Sequence, residues 1–418
     1  MTDSVFSLNR SLGQRLSSLV QDQAACNFPE ARRPEPLSVV VTANEVNHLH
    51  GTGSLVKRIC NGWDDIYSIR ARNDFGGIQE LGNWNACLHQ RARSRPEFFG
   101  QVLSLLRGRN ISRVLCVPFL KDEFLTAIAI QKSFGAKLCG YLMDDRNIAS
   151  QAIPDGLMRE FLECCSLRLT THPEMQFAYE TKYGLPFHIL PAIVPWNLMA
   201  RESTGLIEPS AGGGRGALIG SFWEQTWFER LTGVLSECNC RIDWFGNNTS
   251  HWLRFAPKRL ERAGITAHGT IPEDRLAEEL KKYPFVMVPV SALEGGESNP
   301  GVARLSLPGR ILFALATAHT PVLIVGHAHT CGARFVMHFG VGEVAPYDSR
   351  RLIEAMDRIR DPERQARMRT RAAEIGPLLS DRGIAGWLAQ SIDRGAPADD
   401  RFDALFAGYH RTIALPAA

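Results

Sequence analysis

Residues 305–326, LSLPGRILFALATAHTPVLIVG, constrain the fold more than any other stretch of the chain. Pro308 suits a helix start, where a missing N–H costs nothing. The apolar residues behind it read as a buried helix, which a His319-Thr320-Pro321 turn ends. Val322-Leu323-Ile324-Val325 then reads as a central parallel strand, apolar on both faces. Helix, tight turn and parallel strand in this order belong to a doubly wound α/β domain. The free N–H groups at the helix start, the positive end of its dipole and the forked donors of Arg310 together predict an anion site at Ser306-Leu307-Pro308-Gly309-Arg310.

The same alternation occurs twice along the chain. Residues 37–43 (LSVVVTA) read as a strand that runs into a loop ending His50-Gly51-Thr52-Gly53, with a helix over 54–60 behind it. Strand, glycine-bearing loop and helix open a nucleotide-binding α/β unit. Gly51 and Gly53 allow backbone to approach a ligand closely. The dinucleotide fingerprint lacks its third glycine and its acidic partner, which disfavours a dehydrogenase. A strand over 66–71 and a long polar region through residue 95 come next. Strands over 113–119 and 137–143 flank a helix over 121–133, and Asp144-Asp145 ends the second of these strands. Carboxylates at that end of a strand sit where α/β sheets bind ligands. One of the pair orients a ligand hydroxyl or acts as a base, or else caps the following helix; the residues leave both readings open.

Strands over 167–170 and 186–190 close the first half, and residues 196–215, with Gly212-Gly213-Gly214, read as a flexible junction. Strands over 216–221, 240–245, 265–270 and 284–290 restart the pattern, and helices over 349–359, 362–375 and 381–392 finish it. The expected architecture is α/β, two facing doubly wound (Rossmann-like) domains over residues 37–197 and 198–394. An N-terminal extension over 1–36, with a helix at 7–22, precedes them, and a segment over 395–418 is placed to cross back to the first domain.

A length of 418 residues gives room for two sizeable cores. A net charge of +3 offers no argument for nucleic-acid binding. No apolar run reaches membrane-spanning length, and the N-terminus lacks the uninterrupted apolar core of a signal peptide, so a cytoplasmic chain is expected. The 10 cysteines lie scattered, several inside strand patterns, as small buried hydrophobes do in a reducing compartment. Neither Cys238-Asn239-Cys240 nor the group His327, His329, Cys331 and His338 completes a metal motif, and no metal is expected. Residues 98–107 (FFGQVLSLLR), flanked by arginines, form a basic amphipathic stretch. It reads either as a face packed on the sheet or as a peripheral contact with the inner face of a membrane.

Several of these blocks, in this order, resemble the GT-B glycosyltransferases, specifically the family-4-like (group 1) type. The resemblance rests on Ser306-Leu307-Pro308-Gly309-Arg310-Ile311 with its following turn, on His50-Gly51-Thr52-Gly53, and on Met143-Asp144-Asp145. It also rests on Thr266-Ala267-His268-Gly269-Thr270-Ile271-Pro272, on the loop from Ser291 to Gly301, and on Gly340-Val341-Gly342. These blocks are scattered over most of residues 37–393. The resemblance implies transfer of a sugar from a nucleotide-diphosphate sugar to a hydroxyl, with retention, in polysaccharide or glycoconjugate synthesis. The donor is then a substrate and no cofactor or metal is needed; the acceptor is a saccharide or a lipid-linked saccharide. No oligomeric state follows.

The resemblance also implies roles. Ser306 and Arg310 hold the diphosphate. Gly51, Thr52 and Gly53 lie under the donor phosphates and face the acceptor. His268 and Gly269 flank the base, and Glu294 or Glu297 meets the sugar. An inverting reaction needs a base, with Asp145 or His50 as the candidates. On this reading Gly53→Val abolishes activity without unfolding the chain. Two departures stand out. No basic residue follows Gly220, and Phe313 replaces a second glutamate. They favour a non-catalytic sugar- or nucleotide-binding protein over a transferase; a further alternative of the same architecture is an epimerase, with cleft carboxylates acting on the donor alone.

Overall fold

The computed structural model describes residues 36–89, 94–201, 215–247, 253–254 and 256–409. The helix expected over 7–22 and the Gly212-Gly213-Gly214 run lie outside them.

The first domain is a seven-stranded parallel sheet: β1 (Leu37–Thr42), β2 (Ile66–Arg70), β3 (Trp84–Cys87), β4 (Ile111–Val117), β5 (Lys137–Leu142), β6 (Leu167–Thr170) and β7 (His188–Ile189). Their order is β3-β2-β1-β4-β5-β6-β7. Helices α1 (Gly51–Ile59), α2 (Arg95–Leu105), α3 (Lys121–Phe134), α4 (Asp155–Cys164) and α5 (Pro173–Tyr183) cover its faces. Burial on both faces explains the unbroken apolar runs: all of β1 is buried.

β3 falls inside the stretch read as polar. Its residues WNAC are mostly exposed at the sheet edge, so they carry no apolar signature, and the Arg109 guanidinium covers the Trp84 ring at 4.4 Å. α2 begins with a capping box, Ser94 to Glu97, with a proline in its first turn. Its apolar residues Phe98 and Val102 are buried in the domain core. That packing takes the face expected to meet a membrane.

The second domain is a six-stranded parallel sheet: β8 (Arg215–Ile219), β9 (Arg241–Phe245), β10 (Ile265–Gly269), β11 (Val286–Pro289), β12 (Val322–Val325) and β13 (Gly342–Ala345). Their order is β10-β9-β8-β11-β12-β13. Helices α6 (Gln225–Leu235), α7 (Pro257–Arg262), α8 (Glu273–Leu280), α9 (Gly309–Ala318), α10 (Cys331–Phe339), α11 (Ser349–Arg360) and α12 (Pro362–Ile375) flank it. α9 and β12 form the helix and strand expected at 305–326, and both are buried.

The chain passes between the domains twice, and the two passages lie side by side. Val194 N–H donates to Leu379 O at 2.8 Å and Asp381 N–H to Val194 O at 3.0 Å. The return begins near Ser380, ahead of the residue 395 expected. α13 (Ile384–Arg394) packs its apolar stripe, Trp387, Leu388 and Ile392, against α1 and β5, and α14 (Arg401–Leu405) reaches β7. Trp63 Nε1–H donates to Ala385 O at 2.9 Å to fix the crossing.

In each sheet the strand order reverses once, between β1 and β4 and between β8 and β11. Ligands of open α/β sheets bind beyond the C-terminal strand ends at such points.

Candidate active site

The loop after β1 is built largely from its own side chains. The buried Glu45 carboxylate accepts from the backbone N–H groups of Asp74 (3.0 Å), Phe75 (3.1 Å) and Gly77 (2.6 Å). Burial alone would raise its pKa, but these donors outweigh burial and hold it below the ordinary glutamate value. Asn47 bridges the same two loops, its amide donating to Phe75 O and Ile78 O at 3.2 and 3.0 Å. His50 caps α1. Its Nδ1 accepts from Gly53 N–H at 3.3 Å, which assigns the proton to Nε2, where it is donated to Glu45 O at 2.7 Å. The ring stacks on Phe75 at 4.0 Å, and burial lowers its pKa, keeping it neutral. With both nitrogens engaged, His50 is a helix cap and has no lone pair for base work.

Gly53 is also a packing residue. A Cβ there would lie 2.6 Å from Asn47 O and 2.8 Å from Asn47 N, so valine would displace the loop itself. This corrects the expectation that Gly53→Val leaves the fold alone. Gly51 has open space around it. Thr52 and Gly53 line a cavity of about 320 Å³ over the end of β1.

The two aspartates after β5 differ sharply. Asp145 is 1% exposed, and both its oxygens are taken. It accepts from the N–H groups of Asn147 (3.0 Å), Ile148 (2.8 Å), Ala149 (2.7 Å) and Ser150 (3.0 Å), and from the Tyr179 hydroxyl at 3.0 Å. It shapes the turn over 147–150 and does not cap the following helix, whose N-cap is Pro154, and no oxygen is left for a base. Asp144, half-buried, has no hydrogen-bond partner among the described residues. Burial pushes its pKa up to about 6; Arg146 pulls it down and Asp145 pushes it up, each by less.

In the second domain the Arg310 guanidinium reaches the C-terminal ends of β8 and β11, where the strand order reverses. Nη1 donates to Ile219 O and Ser221 O at 3.0 Å each, and Nη2 to Pro289 O at 3.4 Å. Burial pushes its pKa down to about 10. Gly220, at φ +83°, makes room for it, since a Cβ there would stand 3.1 Å from Nη1. Arg310 is therefore a strut, with Nε–H and one Nη2 hydrogen lacking a protein acceptor among the described residues. Nearby, Ser306 is 4% exposed and its hydroxyl has no partner among the described residues. Pro308 opens α9 without a side-chain cap, so the first amides of the helix have no side-chain acceptor there.

The loop after β11 separates the two glutamates. Glu297 is buried and braces the loop, accepting from the Ser291 hydroxyl, from Ala292 N–H at 2.8 Å and from Arg230 at 3.0 Å. Glu294 has a 71% exposed side chain and pairs with Arg230 through one oxygen at 3.6 Å, so it is the glutamate whose carboxylate is open to solvent. Leu293, between β11 and Glu294, has φ 56°, a conformation unusual for leucine.

His268 is turned onto the sheet face. Its Nε2 lies 2.6 Å from Asp243 Oδ1, and its ring stacks on Phe245 at 4.9 Å. Arg215 pairs with the same carboxylate, and the Tyr283 hydroxyl donates to it at 2.9 Å. Gly269 O accepts from Gly246 N–H at 2.9 Å. Both residues expected at the base are thus engaged within the domain.

Contacts across the domains had no local sequence signal. Arg58 on α1 pairs with Glu273 at the start of α8 and donates to Ile193 O at 3.2 Å. Asn299 donates to Ala149 O at 3.3 Å. His172, Glu174 and Cys331 are the group among the described residues whose spacing would suit a metal. Their atoms already have partners. His172 Nε2 meets Leu305 O at 2.9 Å, and Glu174 takes Arg334 at 2.5 Å and the Tyr409 hydroxyl at 2.9 Å. Cys331 Sγ faces His172 Nδ1 at 3.4 Å, away from the His327 and His329 considered with it.

Neither a protein-family model nor a curated protein matches the chain. Solved structures do. HepE of Anabaena in complex with UDP and glucose superposes with a TM-score of 0.61 at 13% identity, over 85% of this chain and 99% of that one. OtsA in its apo form gives 0.58 at 10% identity, over 85% and 99%. The lipopolysaccharide outer core galactosyltransferase WaaB, also apo, gives 0.54 at 12%, over 89% and 99%. At such identities the likeness is one of fold, and it extends over nearly the whole of each neighbour: the chain has the GT-B architecture of two doubly wound domains facing across a cleft.

Proposed function

We propose that this chain transfers a sugar from a nucleotide-diphosphate sugar to an acceptor hydroxyl. The observation that carries the reading is the pair of sheet switch points, each bordered by groups left free of protein partners, in a fold shared with a protein solved with UDP and glucose. Breaking the donor bond places negative charge on the departing diphosphate. The open start of α9, the Ser306 hydroxyl and the two remaining N–H groups of Arg310 would stabilise it. Glu294 is the carboxylate left to meet a sugar hydroxyl.

Asp144 carries the acceptor side. With a pKa of about 6 it is largely ionised at neutral pH and holds no competing hydrogen bond. In a retaining reaction it orients the acceptor hydroxyl; in an inverting one it takes the proton. A thermal-shift screen against UDP, GDP, ADP and CMP tests the donor half, since a bound nucleotide raises the melting temperature by mass action. Absence of any shift, together with no nucleotide release from the matching sugar donors, would sink the proposal.

A second reading, non-catalytic sugar or nucleotide binding, is favoured by Phe313 in a glutamate's place and by the commitment of Arg310 to carbonyls. It predicts a thermal shift without turnover whatever acceptor is added.

A further inference from the structure

A second cavity, of about 750 Å³, lies on the first domain beside the one lined by Thr52 and Gly53. The two share Arg72, Asp74, Phe119 and Leu120, so they form one trough along the C-terminal ends of β1, β2 and β4. Three cations from three different elements line the second cavity: Arg72 after β2, Lys121 at the first position of α3, and Arg146 in the loop after β5. None of them pairs with a carboxylate among the described residues. Of the two carboxylates on the same walls, Asp74 accepts from the Asn44 amide at 3.0 Å once that amide is oriented to satisfy both its groups, and Asp122 has an interaction of its own.

Elsewhere the cations of this chain are widely matched, Arg334 to Glu174, Arg58 to Glu273 and Arg230 to Glu297 among them. Three cations against two carboxylates on these walls leave an excess of positive charge, which raises the local concentration of anions. Two guanidinium forks and an ammonium lining one concavity fit the several oxygens of a phosphoryl group better than the single plane of a carboxylate. Arg146 lies two residues from Asp144 and donates its Nε–H to Phe119 O at 3.0 Å, so its guanidinium is anchored beside the carboxyl assigned to the acceptor hydroxyl.

We propose that the acceptor carries a phosphoryl group, held by Arg72, Lys121 and Arg146 while its hydroxyl lies toward Asp144. The word acceptor rests on the transferase reading; the phosphoryl site does not. The phosphoryl group belongs either to a soluble sugar phosphate or to a lipid carrier.

The test uses the full chain with UDP saturating, so that the donor domain is blocked. Binding of inorganic pyrophosphate is measured by calorimetry, and binding to phosphatidylglycerol and to phosphatidylcholine vesicles by flotation. Arg72→Ala/Lys121→Ala should weaken the responding probe about tenfold or more, since two charge-assisted contacts are lost. Arg350→Ala, on the exposed face of α11, should leave it unchanged. Both mutated side chains in the double variant are exposed, so its melting temperature should match the parent. Arg146→Lys keeps the charge, loses the fork and should give an intermediate loss.

A response to pyrophosphate assigns a soluble phosphorylated acceptor. A response confined to phosphatidylglycerol assigns a lipid-borne one. No response to either, or equal binding by parent and double variant, overturns the proposal. Failure of UDP to bind would count against the transferase reading alone, because the pyrophosphate comparison stands without it.

Discussion

The two switch points use their marked residues in opposite ways. In the first domain the glycine loop is consumed by its own construction: Glu45, Asn47, His50 and Gly53 hold one another, and Arg72 and Lys121, which pair with no carboxylate among the described residues, line the neighbouring cavity. In the second domain the marked turn stays open at its centre. The Ser306 hydroxyl has no partner among the described residues and no side chain caps α9, while Arg310 beside them is spent on carbonyls. A residue type that suits ligand binding suits loop building equally well, and only the count of its remaining donors and acceptors separates the two uses.

The largest effect that would sharpen this contrast is at Gly53. Gly53→Val should cost about 3 kcal/mol or more of stability in denaturant unfolding, because its Cβ meets backbone that cannot yield cheaply. Near-parental stability would mean that the loop is not self-built. Next comes Asp144→Asn, expected to lower turnover about a hundredfold with the fold intact.

Its pH dependence has a definite sign. The folded pKa of about 6 lies above the ordinary 3.8, so between these values the folded state binds more protons than the unfolded one. Stability contributed by this group therefore falls as pH rises from about 4 to about 6. The asparagine variant should lack that decline, and a melting-temperature series at several pH values reads it directly.

Arg310→Ala should cost about 2 kcal/mol of stability as well as donor affinity, since it removes the guanidinium donors to three carbonyls. Lost affinity at parental stability would make it a ligand residue after all. The smallest effect is Ser306→Ala. It removes a hydroxyl with no protein partner, so stability should hold or rise, while UDP affinity drops about fivefold. An unchanged affinity would take Ser306 out of the site.

The alternation of strands and helices was legible because both sheets are covered on both faces, so each central strand is an apolar run bounded by turns. β3 was not, since Trp84 and its neighbours lie exposed at the sheet edge. The start of the returning segment was misplaced because the stripe at Trp387, Leu388 and Ile392 has helical spacing whichever domain it packs on. At the site, the residues near the ligand ends of the strands were legible and their availability was not. Whether Asp144 or Asp145 keeps a free oxygen depends on the path of residues 147–150 and on Tyr179. Whether Arg310 points at a ligand depends on carbonyls about ninety residues earlier in the chain.

The paired passage of the chain between the domains restricts how they can move. A single thread would let one lobe swivel in any direction, whereas two threads hydrogen-bonded from Val194 to Leu379 and Asp381 behave as a common axle. On the transferase reading, admitting a bulky sugar means rotating about that line, and the Arg58–Glu273 and Asn299–Ala149 contacts must part on the way. Because the first of these is ionic and partly exposed, salt should ease the rotation, so the speed of substrate entry is tied to the ionic strength outside.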